Sequence, residues 1–406
     1  MEAGNNMKKI KPADRTENVR HALRDIVPLA QQVEKSGKKV IYLNIGDPMT
    51  FDYRTPEHIW KAIFDHKKES EGYANALGSD GARKAVASYA VRSGVKEVSM
   101  DDVMVFAGGS ESILLSMQAL LNPGENMLTP CPAYSIYTGE INFLGAELNE
   151  YYLDEENDWQ PDLDGLEKKI NSKTRAIAII SPNNPTGSVM SKSTLKKIVD
   201  IAGSHDLFIF SDETYDQLLF DNEKFVPAAS ISGDVPVISS GSISKNYLAP
   251  GFRAGWIYKY DPQGVMNDYF EGIKKLARLR LSPVAPMQYA VEAALNGPHD
   301  HLKGLVQKLQ RRRDITYKRL NEIEGLSCVK PKGAFYAYPK IHLDIKSDKD
   351  FVLQLLKETG VLVVYGEGFG QKPGEKHFRI VFLPTEETLN EAFDKIEEFI
   401  KKNYSK

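Results

Sequence analysis

The sequence predicts an α/β fold in which a large, mostly parallel sheet covered by helices is joined to a smaller α+β domain. Apolar runs rich in β-branched residues alternate with amphipathic stretches up to about residue 300, which is the pattern of a parallel sheet packed between helices. The chain has 406 residues, 42% of them hydrophobic, and this is more than one compact core usually takes. We therefore expect two domains.

The predicted strands of the large sheet are short apolar runs with polar, glycine or proline residues at or near their ends. Helical periodicity between them is clearest at 193–206, where Leu195, Ile198 and Val199 fall near one face and Gly203 suits the end of a helix. The apolar runs are 40–48, 102–109, 126–134, 174–182, 207–213 and 235–242.

The last hundred residues change rhythm and predict the smaller domain. Helical patterns occupy 300–322 and 386–403, and strand patterns lie near 327–339 and 361–364. No repeat or low-complexity linker marks a boundary. We divide the chain into an N-terminal segment that packs with the small domain and the cleft, a large domain and a small C-terminal α+β domain, at 1–60, 61–299 and 300–406.

Charge and cysteine content exclude several classes of protein. A formal net charge of −3 gives no general attraction to nucleic acid or to an anionic membrane. The basic run Arg311, Arg312 and Arg313 is expected to form a solvated helix face. Cys131 and Cys328 are too few for a disulfide framework, which suits a reducing compartment.

The N-terminal residues are polar and carry no apolar run of the length that a signal peptide or a membrane helix needs. The eight histidines show no spacing typical of metal ligands. We therefore expect a cytoplasmic protein without a metal, with neither nucleic acid nor membrane as a partner.

The most informative segment is SGSISKNYLAPGFRAGW at 240–256, which contains Lys245. A lysine that forms a Schiff base needs a partly desolvated site, and neighbouring serine and arginine groups can bind a phosphate. Taken alone, a lysine is usually a solvated surface residue. Three more segments outweigh that interpretation, namely AGGSES, SPNNPTG and SDETYDQLLF at 107–112, 181–187 and 211–220.

Together these segments resemble the class I aminotransferases, pyridoxal-phosphate enzymes of fold type I. The resemblance covers nearly the whole chain from about residue 15. It implies a mostly parallel, seven-stranded sheet in the large domain, and pyridoxal 5'-phosphate held by Lys245 as a Schiff base. It also implies a role for each residue that matches the family pattern.

Three matching residues would surround the cofactor ring. Asp212 would pair with the pyridine nitrogen and keep it protonated, so that the ring can take up electrons from the substrate. Tyr215 and Asn184 would hydrogen-bond the ring's 3-oxygen, which helps Lys245 to leave and act as a base. The alternatives for these two are a core aromatic residue and a turn residue before proline.

Five matching residues would hold the phosphate and the ring plane. Gly109 and Ser110 precede a helical pattern, so their backbone amides would face the phosphate at a helix N-terminus. Ser242 and Arg253 match the family's remaining phosphate ligands, and Arg253 supplies a fixed positive charge. Tyr134 matches an aromatic residue stacked on the cofactor face.

Three further matches concern the substrate and a second subunit. Arg379 matches the arginine that grips the substrate α-carboxylate through two parallel hydrogen bonds. Gly46 matches a glycine whose backbone closes over the same carboxylate. Tyr73 matches a tyrosine that reaches the phosphate of the neighbouring subunit, which implies a homodimer. The alternatives are a surface ion pair, a strand-end turn and a buried aromatic residue.

Within the family, the chain is most similar to the microbial alanine (glutamate–pyruvate) aminotransferase group. Arg24 aligns with an arginine near the substrate in that group, and we expect it to contact the distal carboxylate of glutamate and 2-oxoglutarate. Two residues depart from the pattern: His21 replaces a tyrosine of the group, and Tyr365 replaces a proline of the wider family. The supporting segments are 19–48, 157–170, 271–281 and 377–384.

The resemblance implies an enzyme that moves an amino group between L-alanine or L-glutamate and pyruvate or 2-oxoglutarate by a ping-pong mechanism. Aspartate or broad-specificity aminotransferases are the nearest alternatives, and a pyridoxal-phosphate carbon–sulfur lyase shares the same cofactor residues. A non-catalytic amino-acid sensor with this fold would need an added DNA-binding domain. Only about 40 residues precede the first predicted strand, too few for such a domain.

Overall fold

The computed structural model describes residues 9–17, 19 and 26–404, and these residues form fifteen strands and thirteen α-helices. The strands are β1 (Ile41–Tyr42), β2 (Val103–Phe106), β3 (Asn126–Cys131), β4 (Asn149–Asp154), β5 (Gln160–Pro161), β6 (Thr174–Ile180), β7 (Phe208–Asp212), β8 (Val237–Ser242), β9 (Gly255–Tyr260), β10 (Leu326–Ser327), β11 (Tyr336–Ala337), β12 (Lys340–Ile341), β13 (Val361–Leu362), β14 (Val364–Tyr365) and β15 (Phe378–Val381). The α-helices are α1 (Val27–Lys35), α2 (Glu57–Asp65), α3 (Asp80–Arg92), α4 (Gly109–Leu120), α5 (Ile136–Leu144), α6 (Leu163–Lys168), α7 (Lys192–Ser204), α8 (Ala228–Ile231), α9 (Asn267–Arg280), α10 (Ala285–Asn296), α11 (Asp300–Glu322), α12 (Asp348–Thr359) and α13 (Glu386–Tyr404).

The large sheet has the strand order β2-β9-β8-β7-β6-β3-β4-β5. Strands β8, β7, β6, β3 and β4 run parallel to one another, whereas β9 is antiparallel to both of its neighbours. The prediction of a mostly parallel α/β sheet is therefore confirmed. The expected number of seven strands was wrong by one, because the two-residue strand β5 adds an antiparallel edge to β4.

The central strands are apolar because helices cover both faces of the sheet. In β6, six of the seven residues are buried, and all six residues of β3 and of β8 are buried. The first apolar run of the sequence behaves differently. It supplies β1, which pairs in parallel with β13, so Ile41 lies beside Val361 and outside the large sheet.

The parallel topology places the loops that follow the five parallel strands at one edge of the sheet, because the carboxyl ends of parallel strands meet there. Strands β3, β6, β7 and β8 end at this edge, and the next few residues of each loop carry polar side chains. Those that matter below are Tyr134, Asn184, Thr214 and Lys245.

The basic run in α11 is only in part the solvated face that its sequence predicts, because Arg311 is exposed and the two arginines after it are not. Arg312 and Arg313 are buried, at 4% and 0% exposure. Arg312 forms an ion pair with Asp52 at 2.9 Å, and Arg313 pairs with Asp221 at 2.8 Å. The expectation was wrong for Arg312 and Arg313 because partners distant in sequence neutralise both charges. The Arg312–Asp52 ion pair connects α11 to the chain segment that follows Gly46.

The two cysteines are free and buried. Burial raises the pKa of both thiols above their ordinary value, which keeps them in the unreactive protonated form. Among the described residues, no helix has both the length and the apolar composition needed to cross a bilayer.

Candidate active site

A cavity of about 450 Å³ opens at the carboxyl edge of the large sheet, within the range of roughly 300–1,000 Å³ that is usual for small-molecule sites. Eleven residues singled out from the sequence line it. They are Gly46, Gly109, Ser110, Tyr134, Asn184, Asp212, Tyr215, Ser242, Lys245, Arg253 and Arg379.

Four other residues singled out from the sequence are not among the residues that line this cavity in the described part of the chain. Tyr73 does not line the cavity, and its side chain is 84% exposed. Tyr365 is a half-buried residue of β14 that also lies outside the lining. His21 and Arg24 fall outside the described residues, so their predicted places near the substrate stay predictions.

Lys245 stands three residues after the end of β8 and projects into the cavity. Its Nζ donates a hydrogen bond of 2.7 Å to the carbonyl oxygen of Gly46. Burial, with the positive charges of Arg379 and Arg253 nearby, lowers the pKa of Lys245 to about 8. About a tenth of such an amine is neutral at pH 7, against less than a thousandth for an ordinary lysine. The side chain is thus prepared to act as a nucleophile and as a base.

Asp212 is the last residue of β7 and is buried. Its carboxylate accepts hydrogen bonds from the Tyr137 hydroxyl at 3.3 Å and from the Thr214 backbone amide at 3.2 Å. Both donors are neutral, and burial raises the pKa of the Asp212 carboxyl. A cationic group placed beside this carboxylate would restore its charge and be held strongly by it.

Arg379 on β15 is 1% exposed, and its guanidinium faces the cavity. Its Nη1 donates to Asn184 Oδ1 at 2.9 Å, and its Nη2 donates to the carbonyl oxygen of Asn44. Its Nε has no hydrogen-bond partner among the described residues. An unpartnered buried donor is costly, and a carboxylate bound in the cavity would relieve that cost.

Two aromatic rings, which we call the aromatic layer, pack against the guanidinium of Arg379. The rings of Tyr336 and Phe369 lie 4.5 and 4.7 Å from its guanidinium carbon. The Tyr336 hydroxyl is also 2.7 Å from that of Tyr215. A Cβ atom at Gly46 would overlap this Tyr336 hydroxyl. Glycine is required at position 46 because the backbone must pass this close to the aromatic layer.

Groups suited to bind an anion line another part of the cavity, around Gly109 and Arg253. Helix α4 begins at Gly109, and the preceding Gly108 has a φ of +88°. The guanidinium of Arg253 lies so close to Gly108 that a Cβ atom there would overlap it. Arg253 is thus placed beside the positive end of a helix of 12 residues. Two positive features in contact call for a bound anion such as a phosphate.

Sequence reasoning missed five residues that complete the site, and three of them carry a local signal. Tyr137 follows Tyr134 at helical spacing, Gly108 precedes the helix that starts at Gly109, and Thr214 stands two residues after Asp212. Nothing in the local sequence distinguishes Asn44 or Tyr336 from core residues, because their roles depend on contacts with distant segments. The missed residues are Asn44, Gly108, Tyr137, Thr214 and Tyr336.

Comparison with known proteins gives one consistent family. The model of the family described as Aminotransferase class I and II matches residues 38–396. The glutamate-pyruvate aminotransferase AlaA of Escherichia coli is 37% identical over 400 residues, which are 97% of this chain and 98% of that protein. An alanine aminotransferase of Mycobacterium tuberculosis is 38% identical over 378 residues, which are 91% of this chain and 88% of that protein. The solved structure of an alanine aminotransferase from Pyrococcus furiosus has 45% identity and a TM-score of 0.94, with 97% of this chain and 100% of that one covered.

Proposed function

The chain belongs to the class I and II aminotransferase family, and from this membership we propose that it exchanges amino groups between L-alanine or L-glutamate and pyruvate or 2-oxoglutarate, with pyridoxal 5'-phosphate as cofactor. One observation carries the proposal. A lysine with a pKa of about 8 shares a cavity with a buried arginine whose Nε has no partner in the described part of the chain. The pair suits a substrate that carries both an amino group and a carboxylate.

The residues present fit pyridoxal phosphate at both of its charged ends. The phosphate would lie against the α4 N-terminus and Arg253, where Gly108 has no side chain to occupy the space. The ring nitrogen would lie against Asp212. Burial raises the pKa of this carboxyl, and a protonated ring nitrogen beside it would stabilise the carboxylate and lower that pKa again. When bound, the cofactor supplies an aldehyde for Lys245 and a ring that stabilises the carbanion left by loss of the substrate's α-proton.

Each residue of the chain then has a defined task. Arg379 binds the substrate α-carboxylate and fixes the orientation of the bonds at the α-carbon. Nζ of Lys245 takes the α-proton, for which a pKa of about 8 is well matched. Tyr134 lines the cavity where an aromatic ring would stack on the cofactor face. The same residues serve the amino acid and the oxo acid, because both carry the carboxylate that Arg379 binds.

The homodimer is part of the proposal. Tyr73 is 84% exposed, which is unusual for an aromatic side chain and suits a residue covered by a second copy of the chain. Other large apolar residues, among them Phe64 and Leu279, are exposed as well. Size-exclusion chromatography with light scattering should therefore give a molar mass of twice the chain mass of 45.5 kDa. A monomer at micromolar concentration that is fully active would contradict this part of the proposal.

A half-reaction screen tests the proposed activity. We would mix the purified protein, loaded with pyridoxal phosphate, with alanine, glutamate, aspartate and cystathionine in turn, and follow the visible absorbance band of the cofactor. Alanine and glutamate should bleach the band, and pyruvate and 2-oxoglutarate should restore it. Equal rates with aspartate would indicate broad specificity. Release of pyruvate and ammonia from cystathionine would show a lyase, and the proposal would be wrong.

A further inference from the structure

Tyr336 contacts two residues of the cavity, Arg379 through its ring and Tyr215 through its buried hydroxyl. It lies on β11, which pairs antiparallel with β15, the strand of Arg379. Its side chain is buried, its ring lies 4.5 Å from the guanidinium carbon of Arg379, and its hydroxyl lies 2.7 Å from that of Tyr215. Tyr336 therefore contacts both the group that binds carboxylates and the group that faces the cofactor ring.

The direction of the Tyr215–Tyr336 hydrogen bond follows from counting protons. Each hydroxyl carries one proton. Under the proposed function, Tyr215 donates its proton to an oxygen of the cofactor ring. The 2.7 Å contact must then be donated by Tyr336, which gives two hydrogen bonds that point the same way. A hydroxyl that accepts one hydrogen bond becomes a stronger donor in the next.

We propose that Tyr336 is a positioning residue that holds the Tyr215 hydroxyl as a donor to the cofactor ring oxygen. This inference rests on the proposed function. Tyr336 would then have an electronic effect on the nitrogen that joins Lys245 to a bound cofactor, because that nitrogen would share its proton with the same ring oxygen. Stronger donation to the oxygen weakens its hold on the shared proton, and the nitrogen loses that proton at a lower pH.

A purely structural role makes a different prediction. If Tyr336 only supports Arg379 with its ring, then removal of the hydroxyl leaves both the ring contact and the cofactor unaffected. Removal of the ring would then raise KM for every substrate. The hydroxyl and the ring are separable because phenylalanine keeps the ring and lacks the oxygen.

The test is a pH titration of the visible absorbance band of the loaded enzyme. In Tyr336→Phe, the midpoint of the titration should rise by about 0.5–1 pH unit, since one hydrogen bond is worth about that shift. The kcat should fall several-fold, and KM for alanine should change less than about two-fold. Tyr338→Phe is the matched control, because its buried hydroxyl donates to the Gly366 carbonyl at 3.1 Å and its side chain does not line the cavity. Its midpoint should equal that of the wild type.

A double variant shows whether the effect passes through Tyr215. In a Tyr215→Phe background, Tyr336→Phe should cause no further shift of the midpoint, because the intermediate hydroxyl is gone. An unchanged midpoint in Tyr336→Phe alone, or a full shift that persists in the Tyr215→Phe background, would overturn the inference and leave the proposed function intact. A wild-type protein that binds no pyridoxal phosphate would overturn both.

Discussion

Lys245→Ala should reduce turnover by at least about 10³-fold and leave the fold intact, because a positioned base alone contributes roughly 10²–10⁴-fold and the covalent link to the cofactor is lost as well. The structural cost is small, since within residues 26–404 the Nζ of Lys245 makes one hydrogen bond, to the Gly46 carbonyl. Circular dichroism and thermal unfolding should match those of the wild type. Borohydride reduction should fix the cofactor on the wild-type peptide that contains residue 245 and on no peptide of the variant.

The control for this experiment is Lys196→Ala on the surface of α7, where the lysine pairs with Asp200 at 2.7 Å. Its turnover should equal that of the wild type. Lysine labelling gives a second measure. In protein freed of cofactor, alkylation of Lys245 should be half-maximal near pH 8, since its pKa is lowered to about 8, whereas ordinary lysines titrate near pH 10.4. Normal transamination by Lys245→Ala would show that another residue moves the proton.

The sequence indicated Asp212 and Lys245 through the segments that resemble the aminotransferase family. The structure places both at or just after the ends of adjacent parallel strands, and such ends meet at one edge of a sheet. The sequence did not predict that Tyr336 belongs to the site. It comes from a separate three-stranded sheet, and its contact with Tyr215 joins residues 121 positions apart. No local pattern encodes a contact of that separation.

Burial of charge was the other point at which local reasoning failed. Arg312 and Arg313 have the sequence of an exposed basic face, yet their partners lie 260 and 92 positions away. The domain boundaries near residues 60 and 300 stay predictions. So does the role of Tyr73, because the role proposed for its exposed side chain requires a second copy of the chain.

Arg379→Lys should lower kcat/KM for both amino acids and oxo acids by about 10²-fold or more, mostly through KM. Lysine keeps the positive charge but cannot present two parallel donors to a carboxylate, and each charged hydrogen bond is worth about 1.5–3 kcal/mol. It also leaves less support for Asn184, whose Oδ1 accepts from Arg379 at 2.9 Å. Arg175→Lys on β6 is the matched control, since that arginine pairs with Glu125 on the surface.

The pattern across substrates decides what Arg379 binds. Alanine, glutamate and their oxo acids share the α-carboxylate, so a residue that binds this group should weaken all four by similar factors, and the ratio of kcat/KM for alanine to that for glutamate should stay constant. A residue for the distal carboxylate would weaken glutamate and 2-oxoglutarate alone. Arg379 is buried, lines the same cavity as Lys245 and donates hydrogen bonds to Asn184 and Asn44, so we expect it to bind the α-carboxylate. A loss confined to the glutamate pair would move the α-carboxylate site to another cation of the cavity.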